Sequence, residues 1–125
     1  MENLLIPETA KTPLVDFNSN SGNLLLKGKM IPEDVFKFFS SITEWGAAYL
    51  NNPAPITKIE IDIPYMNTLS TTKTLHFLKQ LMPLKQNHKS LVTVVWKYES
   101  FDTDMYECGL NFQKITGFHF EYVTV

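Results

Sequence analysis

Residues 58–63 read Lys-Ile-Glu-Ile-Asp-Ile, and this strict alternation of isoleucine with a charged residue decides the fold. Successive side chains of a β-strand point to opposite faces of its sheet, so one face of this strand is apolar and the other is charged. A strand covered by helices on both faces would be apolar throughout. The pattern therefore predicts a sheet that carries its helices on one face only.

The segments around this strand alternate between strand-like and helix-like patterns. Before it we expect an extended arm or edge strand at 1–13, a hairpin formed by 14–17 and 24–29, and a helix from about 32 to 51. After it we expect a second helix that Pro83 kinks or ends, a strand at 91–98, a third helix at 102–115 and a strand at 118–125. Because strands separated by helices need crossover connections, the sheet should be mixed and partly parallel.

Apolar residues recur at helical spacing in these segments and identify the core. The first helix is predicted to bury a stripe formed by Val35, Phe38, Phe39, Ile42, Trp45 and Tyr49. The second is predicted to bury Leu75, Leu78, Leu81 and Met82, and the strand at 91–98 to bury Val92, Val94, Trp96 and Tyr98. Residues 1–125 are thus predicted to form a single α/β domain with helices packed mainly on one face of the sheet.

Length, composition and charge narrow the class of protein. The chain has 125 residues, 44% apolar and 19% charged, which is typical of one globular domain. Its formal net charge of -2 argues against a nucleic-acid partner, since nucleic-acid-binding domains normally present a basic face. The N-terminus lacks the pattern of a signal peptide, and no apolar run approaches the roughly 20 residues needed to cross a bilayer. We therefore expect a cytoplasmic protein with no membrane insertion.

Residues that could carry catalysis or bind a metal do not form a recognisable set. The chain has no glycine-rich phosphate loop, its three histidines lack ligand spacing, and Cys108 is its one cysteine. The helix of Cys108 also carries Asp102, Asp104 and Glu107, which should raise the pKa of the thiol and oppose a nucleophilic role. We expect no metal, no cofactor and no enzymatic activity. An enzyme with a site around Cys108 and His119 is the weakest of the functional hypotheses.

The strongest candidate for a functional site is residues 67–72, Asn-Thr-Leu-Ser-Thr-Thr, where a strand passes into a helix. One interpretation is structural, because Asn, Ser and Thr are preferred helix N-caps. The other is a phosphoacceptor hydroxyl, because a helix N-terminus stabilises a phosphate through its free N–H groups and its dipole. A second polar segment, residues 99–104, supplies acids that either cap the next helix or contact a partner.

Several segments, in a shared order, are similar to motifs of one bacterial family. Residues 65–68 resemble Y-x-N-T-S-S-x-K, and residues 96–109 resemble W-x-Y-E…D-x-D-M…G. Residues 28–34 are similar to G-x-S-x-P-E-N, residues 6–13 to an opening stretch that ends in T-P, and Trp45 with Tyr49-Leu50 to W…Y-L. Over nearly its whole length the chain resembles the SiaC family of bacterial regulatory phosphoproteins.

The resemblance implies a fold, a mechanism and a set of partners. The fold would be similar to STAS domains, the anti-sigma-factor antagonists. The mechanism would be partner switching: a protein kinase phosphorylates the threonine of N-T-S-S, and a PP2C-type phosphatase removes the phosphate. The unphosphorylated form would bind and activate a downstream target, in the best-known members a diguanylate cyclase, which links the system to biofilm formation.

Carried over to this chain, the resemblance makes Thr68 the phosphoacceptor. Leu69 departs from the motif, and an alignment made from the helix side instead favours Ser70, so Ser70 is the alternative acceptor. The predicted partner-binding surface consists of Tyr65, Asn67, Thr68, Ser70, Thr71, Asp102 and Asp104. Because of Leu69, a protein- or small-ligand-binding module that works without phosphorylation is the alternative function.

Overall fold

The computed structural model describes all residues, 1–125, and they form six strands and four helices. In chain order these are β1 (Leu4–Ile6), β2 (Leu14–Phe17), β3 (Asn23–Lys27), α1 (Val35–Asn51), β4 (Ile56–Asp62), α2 (Thr68–Gln80), α3 (Met82–Gln86), β5 (Leu91–Tyr98), α4 (Thr103–Thr116) and β6 (His119–Thr124). None of the four helices combines the length and hydrophobicity required to span a membrane.

All six strands belong to one sheet, in which they lie in the order of the sequence, from β1 to β6. The pairs β1–β2 and β2–β3 are antiparallel, and β3, β4, β5 and β6 are parallel to one another. The parallel pairs are joined by crossovers that contain the helices, as such connections require. The predicted α/β class and the mixed, partly parallel sheet are confirmed.

Burial of the sheet is one-sided, as the alternation in β4 predicts. Ile59, Ile61 and Ile63 are buried beneath the helices. On the opposite face, Glu60 forms an ion pair with Lys97 of β5, at 3.1 Å between Oε2 and Nζ. Apart from Val95 of β5, which is buried, the residues of this second face are exposed or partly exposed, so the prediction of helices on one face is confirmed.

Helix α1 begins and packs much as its sequence predicts. Asp34 is its N-cap, and one carboxylate oxygen accepts a hydrogen bond from the Lys37 N–H at 3.0 Å. The predicted stripe is buried except for Phe38, which is only partly buried. The Trp45 ring stacks on Tyr49, with centroids 4.8 Å apart, and contacts Phe17 of β2.

The predicted core stripe of α2 is partly wrong. Leu78 and Leu81 are buried, but Leu75 and Met82 are only partly buried. The remaining buried positions of α2 are Ser70, Thr74 and Phe77. A threonine is tolerated there because its hydroxyl donates to a helix carbonyl one turn earlier, here from Thr74 to Ser70 O at 2.8 Å. The predicted interruption at Pro83 is confirmed, since α2 ends at Gln80 and α3 begins at Met82.

Trp96 fixes the start of α4 above the end of β5. Its side chain is fully buried, and its indole N–H donates to the Met105 carbonyl at 2.9 Å. Gly109 lies one turn further along α4, where a Cβ atom would come within 2.7 Å of the Trp96 ring. The tryptophan and the glycine of this segment are therefore parts of one close contact between sheet and helix.

Replacing Gly109 with alanine should destabilise the fold through this contact. Alanine favours a helix by about 1 kcal/mol over glycine, but overpacking a buried contact costs about 1–3 kcal/mol. The difference between these two terms is a net loss of up to about 2 kcal/mol, measured by urea unfolding. Asn111→Ala, at an exposed position of the same helix, is the control and should change stability by less than about 0.5 kcal/mol. A Gly109→Ala variant that is more stable than the parent by about 1 kcal/mol, as expected at an uncrowded helical position, would contradict the contact.

Candidate functional site

The polar cluster predicted from the sequence lies at the edge of the sheet where the parallel strands end. Beyond β3 and β4 the chain continues to pair through an isolated parallel bridge between Met30 and Met66. The Met30 N–H donates to the Tyr65 carbonyl at 2.9 Å. Ligands of open α/β sheets characteristically bind at the carboxyl ends of the strands. This pairing therefore holds the segment before α2 at an edge where such sites occur.

Asn67 is the N-cap of α2. Its Oδ1 accepts a hydrogen bond from the Ser70 N–H at 2.9 Å, and its carbonyl accepts from the Thr71 N–H, also at 2.9 Å. Thr68 is then the first residue of the helix and is exposed to solvent. An exposed hydroxyl at the first helical position lies beside the free N–H groups of the first turn.

The other hydroxyls of the cluster differ in accessibility. Ser70 is fully buried at 0% exposure, and its Oγ has no hydrogen-bond partner. Thr71 is partly buried, and its Oγ1 donates to the Asn67 carbonyl at 3.0 Å. Thr72 is exposed, and its Oγ1 donates to the Thr68 carbonyl at 3.3 Å. Ser70 could meet a kinase or a partner only if the first turn of α2 opened.

The two acids predicted for the partner surface lie beside this cluster. Asp102 and Asp104 line a cleft of about 340 Å³ together with Tyr65 and Thr71. Asp102 is also the N-cap of α4, because its Oδ1 accepts from the Met105 N–H at 3.0 Å. Asp104 is exposed in the first turn of α4, which suits the helix dipole. The cleft thus joins the beginnings of α2 and α4, two segments far apart in the sequence.

Of the exposed apolar residues near Thr68, Tyr65 belongs to the partner-binding surface predicted from the sequence, whereas Leu69 and Phe36 were not predicted as part of it. Leu69 and Tyr65 are exposed on either side of the cap. Phe36, at the start of α1, is exposed as well, and the Lys73 ammonium lies 4.4 Å from the centre of its ring. One feature of the sequence could have identified Phe36 as a surface residue, because it lies outside the apolar stripe of α1. Burial in the core therefore does not explain an aromatic residue at this position. Exposed aromatic residues of this kind are typical of protein interfaces.

Cys108 lines the same cleft but has the properties of an unreactive thiol. Burial raises its pKa from the ordinary value of 9.0 to about 11. The expected direction of the shift is thus correct, but its cause is desolvation rather than the acids on the same helix. A thiol with a raised pKa is a poor nucleophile near neutral pH, because only the thiolate reacts.

Nearly the whole chain matches the model of one protein family. Residues 6–125 match the family model described as "SiaC family regulatory phosphoprotein". The chain belongs to the SiaC family. An uncharacterised protein of Pseudomonas aeruginosa strain UCBPP-PA14 is 24% identical over 120 residues, which cover 96% of this chain and 94% of the relative. The resemblance seen in the sequence motifs is confirmed.

Solved structures show that the fold is that of SiaC proteins. SiaC of P. aeruginosa superposes with a TM-score of 0.88 at 23% identity, over 100% of both chains. A chain in the crystal structure of the diguanylate cyclase SiaD in complex with its activator SiaC, also from P. aeruginosa, gives a TM-score of 0.89 at 23% identity, over 98% of this chain and 99% of that one. This SiaC-family chain therefore keeps the fold despite low sequence identity.

The cap of α2 gives a direct test of the local geometry. Asn67→Ala removes the oxygen that accepts from the Ser70 N–H, and we expect a loss of about 1 kcal/mol in unfolding free energy. Asn67→Asp keeps an acceptor at the same position and should retain most of the stability. Stability is measured by chemical denaturation. Equal losses in the two variants would show that Asn67 does not stabilise the protein through this hydrogen bond.

The raised pKa of Cys108 predicts slow thiol chemistry in the folded protein. A rise of two units, from 9.0 to about 11, lowers the thiolate fraction at pH 8 about a hundredfold. Because a thiolate of higher pKa is also the stronger nucleophile, reaction with a disulfide reagent should be about tenfold slower in the native protein than in urea, and should accelerate as the pH rises toward 11. Equal rates in the native and unfolded states at pH 8 would contradict the burial of this thiol.

Proposed function

We propose that this chain is a non-catalytic regulator that is phosphorylated on Thr68 and that binds and activates a downstream effector when unphosphorylated. A protein kinase adds the phosphate, and a PP2C-type phosphatase removes it. The effector is a protein such as a diguanylate cyclase, in the cytoplasm, in a pathway that controls biofilm formation. The observation that carries the proposal is that Thr68 is exposed at the first position of α2, beside exposed apolar groups.

Two comparisons support the effector class. The family consists of regulatory phosphoproteins, and a structure with the same fold is that of an activator in complex with a diguanylate cyclase. On the present chain, the corresponding surface would be the exposed group around the α2 cap, formed by Tyr65, Thr68 and Leu69, with Phe36 and Lys73 at its edge. Such a surface suits a partner that presents apolar side chains and an acid opposite Lys73.

Phosphorylation would act on the interface and not on the fold. A phosphate adds about -1.5 to -2 charges at Thr68. Its interaction with the helix dipole supplies at most about 2 kcal/mol, whereas near-complete switching between two conformations needs about 5.5 kcal/mol of differential stabilisation. The added charge and bulk would instead oppose burial of Leu69 and Tyr65 against an apolar partner.

Site mapping tests the identity of the acceptor. On protein isolated from its native host, intact mass and peptide mapping should find one phosphate on Thr68, and Thr68→Ala should abolish it. Thr72→Ala, at the exposed hydroxyl one turn later, is the matched control and should keep the modification. Ser70→Ala should also keep it, because the Ser70 hydroxyl is buried. A phosphate that persists in Thr68→Ala would refute the assignment.

The departure at Leu69 favours a second candidate, a binding module that works without phosphorylation. The two functions separate in a capture experiment from host extract. The proposed function predicts that Thr68→Ala retains the effector and Thr68→Glu loses it about tenfold or more, the effect expected of a charge placed in an interface. Leu69→Ser should weaken capture in either case. Equal capture by Thr68→Ala and Thr68→Glu, with no phosphate found in the host, would favour the constitutive module.

A further inference from the structure

The segments that flank strand β5 differ in the sign of their charge. Residues 80–95 contain Lys85, His88 and Lys89 and no acidic residue. Residues 99–107 contain four carboxylates and no basic residue. Since β5 runs from Leu91 to Tyr98, the basic segment precedes the strand and the acidic segment follows it. The net charge of -2 conceals this separation.

At the first end, a cleft of about 690 Å³ combines cationic and apolar groups. Its basic side is formed by the two lysines Lys85 and Lys89 together with the imidazoles of His88 and His119, and its apolar side by Pro55, Leu91 and Val92. The Lys85 ammonium donates to the Gly117 carbonyl, which holds it at this end of the sheet. Glu121 contacts His119 at 3.6 Å on the open face. We call this site the basic cleft.

At the other end, residues 99–104 form an acidic turn with an aromatic residue at its centre. Phe101 is 79% exposed and is the most exposed large apolar side chain of the protein. Leu91, in the basic cleft, is the second most exposed large apolar residue, at 73% exposure. The turn is ordered by the hydrogen bond from the Asp102 N–H to the Glu99 carbonyl, at 2.9 Å. The two most exposed apolar groups thus lie in surroundings of opposite charge.

We propose that the acidic turn of one copy docks into the basic cleft of a second copy. Phe101 would cover Leu91 and Pro55, while Glu99 and Asp104 would face the lysines of the cleft. Aromatic side chains flanked by charges are common anchors of protein contacts, and complementary potentials guide their encounter. Because the two surfaces lie at opposite ends of one strand, the contact is heterologous and joins copies head to tail.

The proposed contact is small and depends on charge, so it should be weak and sensitive to salt. One turn in one cleft falls in the size range of transient interfaces. Exposed charges separated by more than a Debye length are screened as salt rises, so the association weakens at high ionic strength. Asp102 and Asp104 also belong to the partner-binding surface predicted from the sequence and line a cleft with Tyr65, so effector binding at this edge would compete with self-association. The inference itself rests on β5 and its two ends and does not require phosphorylation at Thr68.

Sedimentation velocity of the full chain tests the proposal. The mean mass of the parent should rise with concentration toward about 1 mM and fall when salt is added. Phe101→Ala removes the anchor and Lys89→Glu reverses a charge of the cleft, and each should weaken association about tenfold or more. Leu5→Ala and Lys29→Glu, which change an exposed apolar and an exposed basic residue elsewhere, are the matched controls and should associate like the parent.

Mixing the two defective variants gives the sharpest readout. Phe101→Ala retains an intact cleft and Lys89→Glu retains an intact turn, so an equimolar mixture should form a heterodimer and stop there. Circular dichroism and melting temperatures equal to those of the parent exclude misfolding as the cause. A parent that remains monomeric up to about 1 mM would overturn the proposal. So would oligomers that persist in both variants, or a mixture that shows no more association than either variant alone.

Discussion

Burial of only one face of the sheet is the constraint on which the rest of this structure depends. Along β4, isoleucines face the helices while Lys58, Glu60 and Asp62 occupy the other face. All helices must therefore lie on the isoleucine side, and each connection between parallel strands returns across that side. The beginnings of α2 and α4 are thereby brought to the same edge of the sheet.

That edge is held by contacts that leave its outer surface free. The Met30–Met66 bridge extends the pairing of the strands to the residue before the α2 cap. Trp96, through its hydrogen bond to Met105 and its contact with Gly109, fixes the first turns of α4 over β5. Met30 and Trp96 are buried, so the exposed side chains of Thr68 and Leu69 can contact other proteins without taking part in these two contacts. This separation suits a surface that is modified and bound in turn.

The features predictable from the sequence were those set by local pattern. The alternation at 58–63 predicted the one-sided sheet, and Pro83 predicted the break between α2 and α3. The predicted core stripe of α2 was partly wrong because it omitted Ser70 and Thr74, which are buried. Both side chains are small, and the Thr74 hydroxyl donates a hydrogen bond to the helix backbone. Hydrophobicity alone does not reveal such residues.

The sequence did not predict which distant segments lie next to each other in the fold. The cleft beside Thr71 joins residues near 65 with residues near 104, and the basic cleft joins Pro55, residues 85–93 and His119. Both depend on the order of the parallel strands, which local periodicity does not determine. The exposure of Thr68 and the burial of Ser70, two residues apart, likewise follow from which side of α2 faces the sheet.

The central claim is that Thr68 controls an interface without altering the fold. The most direct measurement is the effector's affinity, by calorimetry, for the protein prepared unphosphorylated and fully phosphorylated on Thr68, with amide NMR spectra of both forms. Our account predicts that phosphorylation lowers the affinity at least about tenfold, by charge placed in the interface, while the resonances of the β4 and β5 core stay unchanged. Equal affinities, or a loss of affinity accompanied by changes throughout the core, would contradict it.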